Sequence, residues 1–447
     1  MRIRTTEDGG GFSCLQEAGM LVKVGHCSAV LFLAVAMALS LGLSGCDSNS
    51  YSAAIRYLVR TDPLVTTDKL GDERYNPDRP GQLPIFSAKD LLEFPNPFFK
   101  DASQEQQDNF FTQRKMIDPT KLSAENRQKL QDLLDKYFGT PAEPKVEGIP
   151  TEAREKLGLS PEQLAKGSRY YRIHCLHCHG VPGNGRGPTS RWINPHPRDY
   201  RQGLFKFQSV NQVGAGKADQ KPSRADLMRT LEEGIEGTQM PAFNLLSTGD
   251  LESLVSYVIH LSIRGEAEFD TIKVNFDFNK ERDELKLKPG KNVEKYLKAK
   301  IMVTGEAWLN AQRDPIPVAE FKFSKDEMKE SVLRGKALFE ADTELLKKQK
   351  IDVAASCVSC HKDYGRQATF RFDSWGTLVK PADLTRGVYR GGRRPVDIYY
   401  RIHSGINGSG MANFGGTLSG QQIWDLVNFV RVLPYKAMRE KYGIQLN

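Results

Sequence analysis

From Val24 to Cys46 the chain carries no Lys, Arg, Asp or Glu, and its centre, Ala29 to Leu39, is wholly apolar and helix-forming. Such a run near the start reads as the apolar core of an export signal, with an uncleaved span of about 20 residues as the alternative. Glu7, Asp8 and Glu17 sit poorly ahead of that core, which makes Met20 a candidate start. Downstream, apolar positions recur at helical spacing in separate blocks. Leu130, Leu133, Leu134 and Tyr137 stand at i, i+3, i+4 and i+7, with Ser123 to cap the helix and Gly139 and Pro141 to stop it. Ser160-Pro161-Glu162-Gln163 has the pattern of a capping box with proline at the first helical position, and the helix it opens leads to Cys175. Helical periodicity returns over 223–233, 248–263, 291–310, 395–403 and 419–432, so the pattern predicts an all-α protein.

Parts of this pattern occur twice. Gly335 and Phe339 stand in a helix as Gly167 and Tyr171 do, and each helix precedes a Cys-x-x-Cys-His motif. Pro197-Arg198-Asp199-Tyr200-Arg201-Gln202-Gly203 matches Pro381-Ala382-Asp383-Leu384-Thr385-Arg386-Gly387. Such self-similarity implies two copies of one supersecondary unit. The copies are unequal, because more chain separates Gly335 from Cys357 than separates Gly167 from Cys175. The domain plan that follows is a signal segment, 1–46; an N-terminal, partly helical region, 47–159; a first unit, 160–264; a charged linker or insert, 265–329; a second unit, 330–434; and a tail, 435–447. The insert is long for a bare linker and is expected to be structured and packed on the two units.

Composition narrows the class without fixing it. An apolar content of 39% and a charged content of 26% are ordinary for a globular protein. The bases and acids of the leader cancel, so the net charge of +8 belongs to the rest of the chain. That mild excess has no aromatic-basic motif beside it, and nucleic acid is not an expected partner. Of the seven cysteines, Cys14 and Cys27 would leave with the signal, Cys46 stands at its end, and the other four lie in the two motifs. None is left for a disulfide, although an exported protein would be permitted one.

Cys175-Leu176-His177-Cys178-His179 and Cys357-Val358-Ser359-Cys360-His361 carry the chemistry. In this spacing the two thiols add to the vinyl groups of a haem, and the adjoining histidine is carried beneath the iron. A thioredoxin-like redox pair and half of a zinc site compete for the same motif, but zinc wants a second Cys or His pair nearby. The expectation is two covalently bound haems c, attached through Cys175, Cys178, Cys357 and Cys360 and ligated by His179 and His361. A sixth ligand would close each iron to substrate and favour electron transfer. Met240 is the candidate for the first, held extended by Pro241, with simple packing as its alternative. Met411 is the candidate for the second, because Gly405-Ile406 precedes it by the interval at which Gly234-Ile235 precedes Met240. His403 is its rival. His174 and His177 point away from the iron in a normally bound motif, and His196 and His260 read as solvent or packing residues. Arg386, Arg390, Arg393, Arg394 and Arg401 cluster ahead of Met411, either offsetting haem propionates, docking an acidic partner or forming a solvated face.

A helix with glycine and an aromatic, then Cys-x-x-Cys-His, a loop, and a methionine before a last helix resembles the class I c-type cytochromes. The likeness covers 160–264 and 330–434 and is similar to dihaem electron carriers and to cytochrome subunits of cbb-type oxidases. It implies two such domains in tandem, with an N-terminal helical extension and a central insert. It also implies that a proline carbonyl, here in Gly187-Pro188, accepts a hydrogen bond from the proximal histidine; the second copy has no Gly-Pro at that distance. Leu43-Ser44-Gly45-Cys46 resembles the lipobox of bacterial lipoproteins, which implies a lipid on Cys46 and an exported, membrane-anchored protein facing the periplasm. The expected function is a membrane-tethered dihaem cytochrome carrying single electrons in a respiratory chain, with other redox proteins or respiratory complexes as partners. Alternatives are a dihaem redox enzyme, of peroxidase or thiosulfate-oxidising type, or a fixed subunit of a terminal oxidase or quinol-oxidising complex.

Overall fold

A computed structural model describes residues 51–62, 64–66, 115–214, 220–279, 281–318, 323–352, 355–368, 371–372 and 378–446. The expected signal segment and Cys46 lie outside the described residues. The longer helices are α1 (Ala124–Phe138), α2 (Pro161–His174), α3 (Arg224–Glu233), α4 (Thr248–Asn275), α5 (Val293–Ala311), α6 (Lys325–Glu340), α7 (Pro395–Ser404) and α8 (Gly420–Val432), and the short α9 (Lys436–Lys441) ends the chain. Between them run single turns and three two-stranded antiparallel sheets. The protein is all-α in its architecture, as the periodicity predicts. Among the described residues no helix is long and apolar enough to cross a membrane.

Local chemistry explains where the helices start. Ser123 accepts a hydrogen bond from the Asn126 amide and Ser160 from the Gln163 amide, each satisfying a donor that a helix leaves open at its first turn. Reciprocal capping boxes close at Ser223 with Asp226, Ser324 with Glu327 and Ser419 with Gln422. The repeat then appears in the packing. A Cβ on Gly167 would lie 2.1 Å from the Ser253 carbonyl oxygen, and one on Gly335 would lie 2.0 Å from that of Asp425. So α2 crosses α4, and α6 crosses α8, backbone against backbone. Beyond each crossing two aromatic rings meet, Tyr171 with Tyr257 at 5.1 Å and Phe339 with Phe429 at 5.3 Å.

Two hydrophobic cores result, and they do not follow the expected boundaries. The first joins Leu164, Leu254 and Ile259 of the motif-bearing unit to Tyr57, Leu130, Leu134 and Phe138 from the N-terminal region and to Leu297, Ile301 and Trp308 from the insert. Each of these side chains is buried outright, and burying one contributes roughly 1.5–3 kcal/mol. The insert therefore completes the first unit instead of joining two finished ones. The boundary expected at 264/265 falls inside α4, which runs unbroken for 28 residues. Glu268 falls in the expected charged linker, yet it is buried and paired at 3.2 Å with the buried Arg264 of the first unit. The second core runs from Ile316 to Ile444. It takes in Tyr442 and Ile444, so the expected tail is a short helix and a packed end.

The N-terminal region reaches furthest through residues 51–62, an extended strap lying along α1 and α4. Gln131 of α1 bridges its backbone, accepting from the Val59 amide at 2.9 Å and donating to the Tyr57 carbonyl at 3.1 Å. Glu268 of α4 accepts from the Arg60 amide at 2.7 Å. The strap ends at Asp62, whose two carboxylate oxygens each lie 2.8 Å from the Arg201 guanidinium. Burial alone would raise the Asp62 carboxyl, but Arg201 and Arg60 overcome it and hold the group far below the usual carboxylate range.

Two outcomes test this packing. Gly167→Ala should cost the first unit about 1–3 kcal/mol in denaturant unfolding, because the crossing has no room for a methyl group; an unchanged midpoint would disprove the close approach. Because Asp62 has a depressed folded pKa, its contribution is fully present above its unfolded value of about 3.9 and is lost as pH falls below that. Asp62→Asn should therefore destabilise the first unit at neutral pH and leave a shallower acid limb than the parent's in a pH series of unfolding.

Candidate functional site

Each Cys-x-x-Cys-His motif folds as one helical turn. The His179 amide donates to the Cys175 carbonyl at 2.9 Å, and the His361 amide to that of Cys357 at 2.8 Å. Cys175 and His179 are buried; Cys178, Cys357, Cys360 and His361 are half-buried. None of these four cysteines is in a disulfide. Burial pushes the Cys175 and Cys357 thiols up to about 12, so at neutral pH they stay protonated. That is opposite to the depressed pKa of a thioredoxin-like nucleophile. Among the described residues no cluster of three or more His, Cys, Asp or Glu is arranged to hold a metal ion.

The histidines are oriented by one shared device. His179 Nδ1 lies 3.1 Å from the Arg198 carbonyl oxygen, and His361 Nδ1 lies 3.1 Å from that of Ala382. A carbonyl only accepts, so Nδ1 carries the proton in each ring and Nε2 is the unprotonated nitrogen, the one suited to a metal. Burial pushes the His179 imidazole down to about 4, against the pull of its bond to Arg198, which keeps the ring neutral at physiological pH. Arg198 and Ala382 occupy the same place in the repeated heptapeptide. Each precedes an aspartate that caps a short 3-10 turn: Asp199 accepts from the Arg201 amide at 2.9 Å and Asp383 from the Thr385 amide at 3.0 Å. This corrects the expectation that Gly187-Pro188 supplies the acceptor. Gly187 instead braces the motif turn, where its amide donates to the Cys178 carbonyl at 3.0 Å and a Cβ would lie 2.3 Å from the His177 carbonyl oxygen. The second copy, lacking Gly-Pro, keeps the same histidine bond.

The methionine loops also prove to be equals. Ile235 donates its amide to the Met240 carbonyl at 3.1 Å, and Ile406 does so to Met411 at 3.1 Å. Thr238 Oγ1 and Ser409 Oγ donate to the Ile235 and Ile406 carbonyls at 2.8 Å in both loops and accept from the Met240 and Met411 amides. Gly234 and Gly405 open the loops at φ near +70°, where a Cβ would strike the carbonyl of the methionine it serves. Both methionines are half-buried against their cores. The recurring Gly-Ile-x-Gly-Thr/Ser-x-Met was legible in sequence as a complete heptapeptide, of which the Gly-Ile interval is only the start. His403, the rival of Met411, is buried in α7, with Nδ1 3.3 Å from Ser404 Oγ. His260 packs between Tyr57, Tyr257 and Phe138 and bonds the Phe138 carbonyl at 3.2 Å. His174 stacks on Tyr170, and His177 is exposed.

Arg386, Arg390, Arg393 and Arg394 are exposed, as a solvated face would have them, and three of the five arginines also make contacts within the molecule. Arg394 makes three bonds to Asp397 at 2.9–3.1 Å, and Arg229 of α3 reaches the same carboxylate at 3.4 Å. Arg393 lies 3.8 Å from Glu236 and Arg394 lies 3.8 Å from Glu233. Arg401 donates to the Arg390 and Gly392 carbonyls at 3.0 and 2.7 Å. Arg393 and Arg394 thus face acidic residues of the first copy, at the helix and loop that lead into Met240, while Arg386 and Arg390 stay exposed. Nearby, Ser404 Oγ donates to the Val210 carbonyl at 3.0 Å and Asn407 to that of Gln220 at 3.3 Å. The segments preceding the two methionines thus meet along one seam.

Residues 162–258 and 346–430 match the family model described as cytochrome c oxidase, cbb3-type, subunit III. Neither match reaches the N-terminal strap or the insert. Among solved structures, a chain of the reducing HAO-like protein complex of Kuenenia stuttgartiensis is similar at 23% identity with a TM-score of 0.40, over 60% of this chain and 95% of that one. The curated proteins contain no match.

Along the seam, buried and exposed ion pairs should behave differently. Arg393 and Glu236 are both solvated, and Arg393→Ala should change stability by at most about 0.5 kcal/mol. Asp397 is buried with two guanidinium partners, and Asp397→Ala should cost about 1.5–3 kcal/mol. Equal effects in denaturant titrations would show that the seam is not organised around Asp397.

Proposed function

As the chain is a c-type cytochrome with two such domains, working by haem-based electron transfer, we propose that it holds two haems c and passes single electrons between redox proteins. Cys175 and Cys178 attach the first haem and Cys357 and Cys360 the second. His179 with Met240, and His361 with Met411, close the two irons. The observation that supports this most is the doubled donor set: each copy offers two thiols, an imidazole whose Nε2 is left unprotonated, and a thioether on a hydrogen-bonded loop. Those groups suit a covalent haem with nitrogen and sulfur axial ligands. Haem supplies a one-electron ferric–ferrous couple, and closing both faces of the iron favours transfer over substrate chemistry. The chain's own part is to orient the imidazoles, present the sulfurs and bring the two methionine loops to one seam, which shortens the route between centres.

On the same reading, Leu43-Ser44-Gly45-Cys46 ends an export signal and Cys46 carries lipid. The protein is then held at the periplasmic face of a membrane, close to respiratory complexes.

Haem content measured as the pyridine haemochrome should be two per chain. Met240→Ala and Met411→Ala should each remove about half of the weak far-red absorption that marks sulfur-ligated ferric haem. If neither substitution alters that band, the methionines are not ligands. Cys46→Ser should move the protein from the membrane to the soluble fraction; unchanged fractionation would point to an uncleaved anchor.

A further inference from the structure

The two histidine sites share their carbonyl acceptor and differ in what holds that acceptor still. In the first copy, Arg201 sits at the centre of a buried ion cluster. Its Nη1 and Nη2 lie 2.8 Å from the two oxygens of Asp62, while Nε and Nη2 lie 2.9 and 2.7 Å from those of Asp199. Arg60 reaches Asp62 from the other side. Asp199 also caps the turn that follows Arg198, the residue whose carbonyl accepts from His179. Tyr200, the next residue, lays its ring on the His179 imidazole with centroids 4.8 Å apart and planes 20° apart. Ring and acceptor thus belong to one short turn, and that turn is tied to the strap through a fork of charge-assisted bonds in a dry setting, the strongest class of protein hydrogen bond.

The second copy carries other residues at the two places that make this brace. Thr385 stands at the place of Arg201 and Leu384 at that of Tyr200. Asp383 bonds only inward here, to the Thr385 amide and hydroxyl at 3.0 and 2.6 Å. Phe339 meets the His361 ring at a tilt, with centroids 6.2 Å and planes 51° apart, and the residue is half-exposed. Two sites with the same ligand types are therefore held with unequal firmness, and the element responsible is outside the repeated unit.

We propose that Asp62, acting through Arg201 and Asp199, is a positioning residue that fixes the His179 imidazole and its Nδ1 hydrogen bond, and that the N-terminal strap thereby sets the potential of the first centre below what the unbraced turn would give. The physical basis is general. An imidazole that donates firmly from Nδ1 is a stronger electron donor at Nε2 and favours the more positively charged ferric state; a loosened bond makes it a weaker donor. This rests on the reading of His179 as an axial ligand.

Removing Asp62 alone would also delete a negative charge, which raises a potential through space whatever happens to the ring. The charge-neutral double substitution Asp62→Asn/Arg201→Gln separates the two effects. It should raise the potential of the first centre by about tenfold in the one-electron equilibrium, about 59 mV, and should shift the hyperfine-displaced haem-methyl resonances that report imidazole orientation. The second centre should keep both its potential and its resonances and so serves as the reference within the same molecule. Asp62→Glu, which keeps the carboxylate and disturbs folding less, should move the first centre part of the way. A folded double variant with both readouts unchanged, or with a lowered potential, overturns the proposal. Haem content distinguishes that failure from a failure of the underlying reading: a parent protein with no haem on Cys175 and Cys178 removes the premise, whereas two haems and an unmoved potential reject the brace alone.

Discussion

The arrangement depends on a hydrogen bond between an imidazole and a backbone carbonyl some twenty residues further along the chain. His179 donates to Arg198 and His361 to Ala382, both at 3.1 Å. Because the acceptor is a carbonyl, the bond fixes the tautomer as well as the ring plane, and Nε2 is left unprotonated. An imidazole on a one-turn helix has two free torsions, and this bond restrains both. The acceptor must itself be fixed, which accounts for the aspartate-capped turn and the left-handed glycine, Gly203 or Gly387, that ends it in each copy.

From that bond outward the copies diverge. In the first, the capped turn is packed under α4 and clamped by the strap. The same core takes in α1 and α5, elements that neither cytochrome segment includes. In the second, the turn rests on its own aspartate, and the surrounding core is smaller and closed by the chain's end. A repeated unit has thus been built twice with different support. The methionine loops, by contrast, match bond for bond, so the asymmetry lies on the histidine side.

The seam between copies shows how buried charge is managed. Asp397 would be costly to bury alone, and it is surrounded by Arg394 from its own helix start and Arg229 from the other copy. Arg393 and Glu236 at the rim add little beyond alignment. Part of a cluster of positive charge that in sequence invites an outside partner is thus paired within the molecule, while its other members stay exposed.

Much of this was legible in the sequence, and the reason is that it is local. Caps at Ser123 and Ser160, the all-α pattern, the two Cys-x-x-Cys-His turns, the repeated heptapeptides and the methionine interval all depend on residues within a few turns of one another. What the chain could not disclose depends on which distant groups share a buried space. Glu268 reads as a linker charge until the strap and Arg264 supply its partners. The acceptor for His179 had to be chosen among many carbonyls, and packing of the 197–203 turn against α4, not a nearby Gly-Pro, made the choice. Asp62 carries no signal at all in sequence, since one aspartate looks like any other. Only folding puts it 2.8 Å from Arg201, because the pairing of two buried charges is a property of where the chain ends up and not of the order in which its residues come.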